Sequence, residues 1–532
     1  MKKIILTFLA IAAITITACK ENFLQRTPIN KEVTSDFYKN PDDAFQALVS
    51  AYSVLDWNGY GNIVLSSEMT SDDAFGGGGT ADNGVTQWDR FQHFTDHNSD
   101  AWSKFYAGIY RTNVFLDKID GVDFGSDKDL KNQYIGEAKF LRAYFYFNLV
   151  KMFGHVPLIT KPIEGNNYYI PQASPDSVYT RITKDLKDAV TKLTPSAVPY
   201  SSLSQDQYGR ATKWAAESML GRVYLYYTGY YNKSDLVGLV SKQDAIKAID
   251  DVINNSGYGL VNNYADLFRA SSVSDNNATF AGQNNKEGVF VIQYTDQGKG
   301  NWSQQNGNRW QVMIGIRNQS LSPYYKGWGF APVNPDLWNT YQSGDTRKKA
   351  SIISIKDEGL DNMGFKVGDQ AQYTGYYAKK YTPLQQNNPT NNGGDFQIDN
   401  YDNYMAIRFS DVLLMGAELN LSTNLSKAQG YYNRVRDRAF QDQTHRKTLT
   451  NDAAGLKLIM RERRLEFALE GRRYWDLLRQ GMNTTKKAID NNPGGSEFKV
   501  EFPTETKGLF EIPQTQINLS DGTLEQNPGW PQ

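Results

Sequence analysis

Gly136-Glu-Ala-Lys-Phe-Leu-Arg-Ala-Tyr-Phe-Tyr-Phe-Asn-Leu-Val150 is the stretch that decides the fold. From Tyr134 to Met152 the chain is apolar almost all round, not along one stripe. A helix of that kind has to be covered on every side. Gly154 and Pro157 stop it. A second helix opens at Ser174-Pro175 and carries Val178, Ile182, Leu186, Ala189, Val190 and Leu193 on one face. A buried helix followed by an amphipathic one reads as a packed pair.

The pattern extends outward in both directions. Upstream, Asn40 can cap a helix that starts at Pro41, where a missing N–H costs nothing. Ala44, Ala47, Leu48, Ala51, Tyr52 and Leu55 then recur at helical spacing. A long loop, including Gly76-Gly77-Gly78-Gly79, is expected from about Gly59 to Asn98, followed by a helix over Trp102–Ile119. Downstream, further pairs are predicted at 211–231 with 243–254 and at 410–421 with 426–440. The most charged helix is predicted over 455–480. In the third pair, Ala215, Ala216, Ser218 and Gly221 allow close backbone approach, while Trp214, Leu220, Tyr224 and Leu225 fill the gaps. Repeated pairs with small residues on their faces suggest a helical solenoid. No strict period is visible, so the repeats are degenerate.

Between 258 and 405 the helical stripes vanish. Gly, Asn, Gln, Tyr and Trp dominate, with one good strand at Val289-Phe290-Val291-Ile292. The expected fold class is mainly α: helix pairs with a loop-rich, aromatic-rich insertion containing a few short strands. An insertion of this length in a helical scaffold is more often functional than disordered.

The N-terminus carries a different signal. Lys2 and Lys3 precede an apolar run from Ile4 to Ile16, and Ile16-Thr17-Ala18-Cys19 follows. This is the layout of a secretory signal, too short for an ordinary span. Cys19 is the sole cysteine among 532 residues and has no internal disulfide partner. Its place after small residues matches the lipobox of a bacterial lipoprotein, which makes Cys19 the expected lipidation site. The boundaries read as 1–18 signal peptide, 19–38 tether, 39–257 N-terminal helical part, 258–405 insertion and 406–532 C-terminal helical part.

Net charge is −1, which argues against a nucleic-acid binder, since that needs a basic face. Aromatic content is 13%, with 33 Tyr and 10 Trp. Tyr and Trp join an apolar face to a polar tip and serve binding surfaces as well as cores. A sugar needs such a face beside Asp, Asn, Gln or Arg for its hydroxyls. Two loops supply both. One runs from Asp72 to His97, with Asp72, Asp73, Trp88, Asp89, Arg90 and Gln92. The other runs from Gln297 to Tyr325, with Trp302, Gln304, Asn308, Arg309, Trp310, Tyr324 and Tyr325. The predicted ligand-binding set is Asp72, Asp73, Trp88, Trp302, Arg309, Trp310 and Tyr324. Trp57, Trp102, Trp214, Trp338 and Trp475 sit in or beside helices and are expected in the core.

Catalysis lacks a constellation. His93 and His97 have a zinc-compatible spacing but sit in a loop with no third ligand evident. Neither a GxSxG nor a phosphate loop occurs. Asp72 and Asp73 are adjacent rather than across a cleft, as glycoside hydrolysis requires. They suit hydrogen bonds to hydroxyls, or a helix cap. The charged run Arg461–Arg479 reads as a salt-bridged helix face, with Arg463–Glu466, Glu470–Arg473 and Asp476–Arg479 at pairing distance. No catalytic residue, cofactor or metal is expected.

Several segments resemble the SusD/RagB-like outer-membrane lipoproteins of Bacteroidetes. They are the opening stretch through Phe153-Gly-His-Val-Pro-Leu158; Arg210-Ala-Thr-Lys-Trp214 to Tyr227; Arg408-Phe-Ser-Asp-Val-Leu-Leu-Met415 with Glu418; Arg461-Glu-Arg-Arg-Leu-Glu466 to Arg473-Tyr-Trp-Asp476; and Ile512-Pro513 with Asn527-Pro-Gly529. The resemblance implies four tetratricopeptide-like helix pairs and a non-enzymatic surface lipoprotein anchored in the outer membrane. Such a protein would capture an oligosaccharide and pass it to a SusC-like TonB-dependent transporter. A RagB-like peptide binder is the alternative; a glycoside hydrolase or a structural repeat adaptor fits less well.

Overall fold

The computed structural model describes residues 37–531 apart from 58–62, 166, 276–277, 305 and 492–495. Cys19, the signal segment and nearly all of the tether lie outside the described residues.

The protein is mainly helical, as expected. Helix α1 (Pro41–Tyr52) begins with Pro41 at its first position. The Asn40 side chain accepts from the N–H groups of Asp42 and Asp43, and Asp43 accepts in return from the Asn40 backbone. Helix α2 (Ser99–Lys118) packs on α3 (Lys128–Phe153), which is buried on all sides from Tyr134 onward. Two of its buried charges are matched inside the protein: Glu137 meets Arg210, and Arg142 meets Asp185. Helix α4 (Pro175–Leu193), capped by Ser174, lies along α3. Helices α5 (Lys213–Tyr230) and α6 (Lys242–Asn255) come next. A Cβ on Gly221 of α5 would come within 2.6 Å of Ile249 Cδ1, so the close approach read from the small residues is real. After the insertion, α7 (Phe409–Asn420) packs on α6, and α8 (Leu425–Phe440) packs on α7. The chain thus leaves the helical stack after residue 255 and rejoins it at 409.

Two expectations need correction. The charged helix over 455–480 is two helices, α9 (Ala453–Glu466) and α10 (Arg473–Leu478). Leu469 and Gly471 between them have φ of 64° and 73°, which no continuing α-helix allows. The Gly471 N–H donates to Glu68, pinning this turn. The stretch 59–98 is also not one loop. It contains the helices Ile63–Met69 and Asn83–Arg90. Between them the glycine run is pressed against the insertion, with Gly77 bridged to Phe330. At Gly77 φ is +66° and a Cβ would lie 2.3 Å from Pro332 Cδ, so only glycine fits without strain.

In the insertion, the expected strand β1 (Gly288–Ile292) forms, and β2 (Ile352–Ser354) pairs antiparallel with β3 (Tyr376–Ala378). β1 pairs antiparallel with β4 (Tyr404–Arg408), which leads straight into α7. One apolar cluster runs from Ala44 through the insertion to Leu524.

Where insertion and helices meet, the interior is ionic. Arg408 lies 2.6 Å from Glu287, 3.0 Å from Glu466 and 2.8 Å from Glu470. Arg438 and Arg347 also reach Glu466, and Lys380 reaches Glu470. Arg463 joins Asp411 to Asp476. The salt-bridged face expected over Arg461–Arg479 is therefore largely interior. Asp476–Arg479 pair as expected at 2.8 Å. Glu466 and Glu470 instead take partners distant in sequence, and Arg473 pairs with Asp72. Several segments that carry the family resemblance converge on this layer.

Candidate functional site

The structure separates the predicted site residues into two groups. Asp72, Asp73, Trp88, Trp310 and Tyr324 are structural as placed. Asp72 is gripped by Arg473 at 2.6 Å and Arg464 at 3.2 Å, and Asp73 by Arg464 at 2.6 Å. Burial would raise both carboxyls. Arg473 and Arg464 outweigh it for Asp72, whereas Asp73, facing the Asp72 charge, stays above its ordinary value. These side chains join the glycine-rich segment to α9 and α10, so neither the hydroxyl-binding nor the helix-cap reading describes them.

Trp88 lies on a short helix, not in a loop. It is 5% exposed, donates to Asn98 Oδ1 at 3.1 Å and packs on His97 at 4.0 Å. Burial pushes His97 down to about 4. His93 lies 2.6 Å from Glu511. Trp310 opens a short buried helix and packs on Tyr381 and Tyr404. It is 2% exposed, so its ring faces are covered by protein. Tyr324 is fully buried, with its hydroxyl donating to Glu358 at 2.6 Å. A stacking residue must offer a face to solvent, and none of these three rings does.

Trp302 does. It is 45% exposed, on a loop held by Asp399, which accepts from the N–H groups of Gly300 and Asp395. Asp395 in turn accepts from Trp302 Nε1 at 3.3 Å, setting the ring's orientation. The Arg309 guanidinium sits 5.2 Å from the Trp302 ring centre and 5.7 Å from that of half-buried Trp328. Beside them Tyr325 meets Phe396 edge-on at 5.8 Å, with Lys326 Nζ 4.6 Å over Phe396. The result is a shallow platform of aromatic faces with Asp395 and Lys326 among them, while Arg309, only 7% exposed, packs against the rings rather than standing in solvent.

The platform has a rigid back. Arg317 donates to Asp369, to Asp82 and, at 2.9 Å, to the Trp328 carbonyl. That links the segment after the glycine run to the aromatic loop. The two regions singled out in the sequence therefore do meet, but the first supplies support rather than a Trp.

Trp328, Phe396 and Asp395 were not anticipated. Trp328 follows the predicted loop by three residues. Phe396 and Asp395 are more than ninety residues from Trp302, and only the fold brings them there. Among the helix-associated Trp residues, Trp102, Trp214, Trp338 and Trp475 are buried as expected. Trp57 is not: it is 39% exposed under Arg111.

A voluminous cleft lies elsewhere. It has a volume of about 1400 Å³ beside α5 and α9, lined by Arg461, Arg464, Arg473 and Arg479 among others, and by no Trp among the described residues. That cleft mixes arginines with Leu and Tyr side chains, whereas the platform offers an exposed indole face to a sugar ring.

A helical stack carrying a loop-built aromatic platform defines a class of binding scaffold. A family model described as "SusD family" matches residues 360–530. Another, described as "Starch-binding associating with outer membrane", matches residues 28–225. The structure of a laminarin-binding SusD-like protein is similar at 30% identity and a TM-score of 0.77, covering 93% of this chain and 100% of that one. Surface glycan-binding protein A from Bacteroides fluxus is similar at 26% identity and a TM-score of 0.77, with 92% and 100% covered. A SusD-like protein of Bacteroides ovatus is 27% identical over 504 residues, covering 89% of this chain and 82% of that protein. The chain belongs to the SusD family.

Proposed function

We propose that this protein is a non-enzymatic, cell-surface glycan-binding lipoprotein. It holds an oligosaccharide on the Trp302 platform and delivers it to a SusC-like TonB-dependent outer-membrane transporter. The observation that carries the reading is the oriented, exposed Trp302 ring beside Arg309 and Trp328, on loops backed by a rigid scaffold. Aromatic faces meet the C–H face of a sugar, and Asp395 and Lys326 meet its hydroxyl rim. The laminarin-binding relative makes β-glucans the first ligands to test. The anchor is lipidated Cys19; among the described residues no helix is long and apolar enough to cross a membrane.

The test is calorimetric titration with laminarihexaose, maltohexaose, cellohexaose and a pool of short peptides. Binding of at least one glucan, with its chain length unchanged after overnight incubation, supports the reading. Peptide binding alone would move the protein to the RagB-like alternative. For the anchor, Cys19→Ala should release the protein from outer membranes in a strain lacking the transporter. Continued co-sedimentation would refute lipid anchoring.

A further inference from the structure

We propose that the protein holds a small inorganic monovalent anion, chloride in class, in a cavity between α3, α5, α7 and α10. The cavity has a volume of about 40 Å³ and is lined by Lys151, Arg222, Arg472 and Trp475, among others. A water needs on the order of 10–15 Å³ on the same measure. There is thus room for one halide ion and a water or two, and not for a sugar.

Two buried donors at this cavity lack an acceptor, and a lysine beside them faces aromatic rings. Lys151 is 9% exposed. Its Nζ sits 4.3 Å over the Trp475 ring and 5.1 Å from that of Phe147. Trp475 Nε1 and Arg472 Nε are buried without a hydrogen-bond partner. Arg472 donates through its other end to the Ala406 carbonyl. Buried donors are almost always satisfied, so two at one small cavity, beside the Lys151 ammonium, point to an acceptor that is not part of the chain.

The charge count agrees. Around the cavity Arg222 and Arg463 share Asp411, Arg463 and Arg479 share Asp476, and Arg479 also holds Glu418. With Lys151 and Arg472, five cations face three carboxylates. The next carboxylate, Glu470, is already held by Arg408 and Lys380. Arginine does not give up its proton, so an excess of this kind in the interior calls for a counter-ion or a neutral lysine. Burial first, then Arg472 and Arg222, push Lys151 well below the ordinary lysine range. A bound anion offsets all three of these effects and fills the donors of Trp475 and Arg472, which a neutral lysine leaves empty.

The experiment uses bromide as the probe on the soluble protein without its signal peptide. Crystals grown in sodium bromide should give an anomalous peak within hydrogen-bonding distance of Lys151 Nζ and Trp475 Nε1. In solution, Tm should rise with the logarithm of bromide concentration, relative to gluconate at equal ionic strength. Lys151→Met should abolish that rise. Trp475→Phe, which keeps a ring and removes only the N–H, should weaken it. Water in the cavity with no bromide peak, a peak without a bromide-specific Tm rise, or the same rise in Lys151→Met would each overturn the proposal.

Discussion

The ionic layer around Arg408 and the platform around Trp302 use similar residue types under opposite conditions. In the layer, guanidinium and carboxylate groups are sealed from water and matched against each other. On the platform, Lys326 and Asp395 stand half-buried beside a ring that keeps a face in solvent, and only Arg309 is packed away. The difference teaches that charge and aromaticity alone do not mark a binding site here. What marks it is a ring that local hydrogen bonds orient and that packing leaves open. Removing a residue from the layer should cost stability, while removing one from the platform should cost affinity.

The layer should give the largest effect. Arg408→Met leaves Glu287, Glu466 and Glu470 buried without their shared partner. Breaking a buried pair typically costs about 3–5 kcal/mol. Urea unfolding should show that loss, whereas Trp302→Ala should unfold like the parent. A loss under about 1 kcal/mol would mean that the layer relaxes or admits water.

Acid should act through the same groups. Burial would raise Glu466 and Asp411, but Arg438, Arg408 and Arg347 hold the first well below the carboxylate range, and Arg463, Arg222 and Arg472 the second. Their folded values lie below the unfolded ones. Their contribution is therefore complete above the unfolded pKa of about 4 and is lost as pH falls through that range toward the folded values. Glu68 acts in the opposite sense. Burial, then Asp73, push it up to about 8, so its penalty grows as pH rises from the unfolded value toward 8. Urea midpoints should fall on both sides of a maximum between these limits. Glu68→Gln should reduce only the alkaline loss, which Glu217, pushed up to about 8 by burial, shares; a flat acid limb would break the assignment of the layer.

A smaller effect is expected where the two regions are joined. Gly77→Ala introduces a Cβ at positive φ against Pro332 and should cost about 1–3 kcal/mol. Because Gly77 supports the platform from behind, glycan affinity should drop modestly with stability. An alanine tolerated without either loss would mean that the glycine run does not brace the platform.

Much of this contrast was legible in the sequence, and the missing part has physical causes. Apolar runs and caps at Asn40, Ser174 and Gly154 act locally, so the helix pairs could be read directly. The loop containing Trp302 and Arg309 was legible because it combined aromatics and polar groups outside any helical stripe. Trp88 and Trp310 carried the same composition, yet each lies in a short helix whose burial depends on partners such as His97 and Tyr381. Asp72 and Asp73 looked like a hydroxyl-binding pair because Arg464 and Arg473 lie nearly four hundred residues away. The break before α10 was missed because Leu469 and Gly471 were read as part of a charged helical run.

On the proposed platform Trp302, and not the buried Trp310, touches the ligand. The direct measurement is calorimetric titration of the glucan that binds the parent protein into Trp302→Ala, with Tm recorded on the same sample. Stacking on an aromatic is worth about 1–3 kcal/mol by alanine substitution for nucleic-acid bases, and that scale is applied here to a sugar. It predicts affinity weaker by roughly tenfold or more, with Tm unchanged. An affinity equal to the parent's, at unchanged Tm, would contradict the account and move the site off the platform.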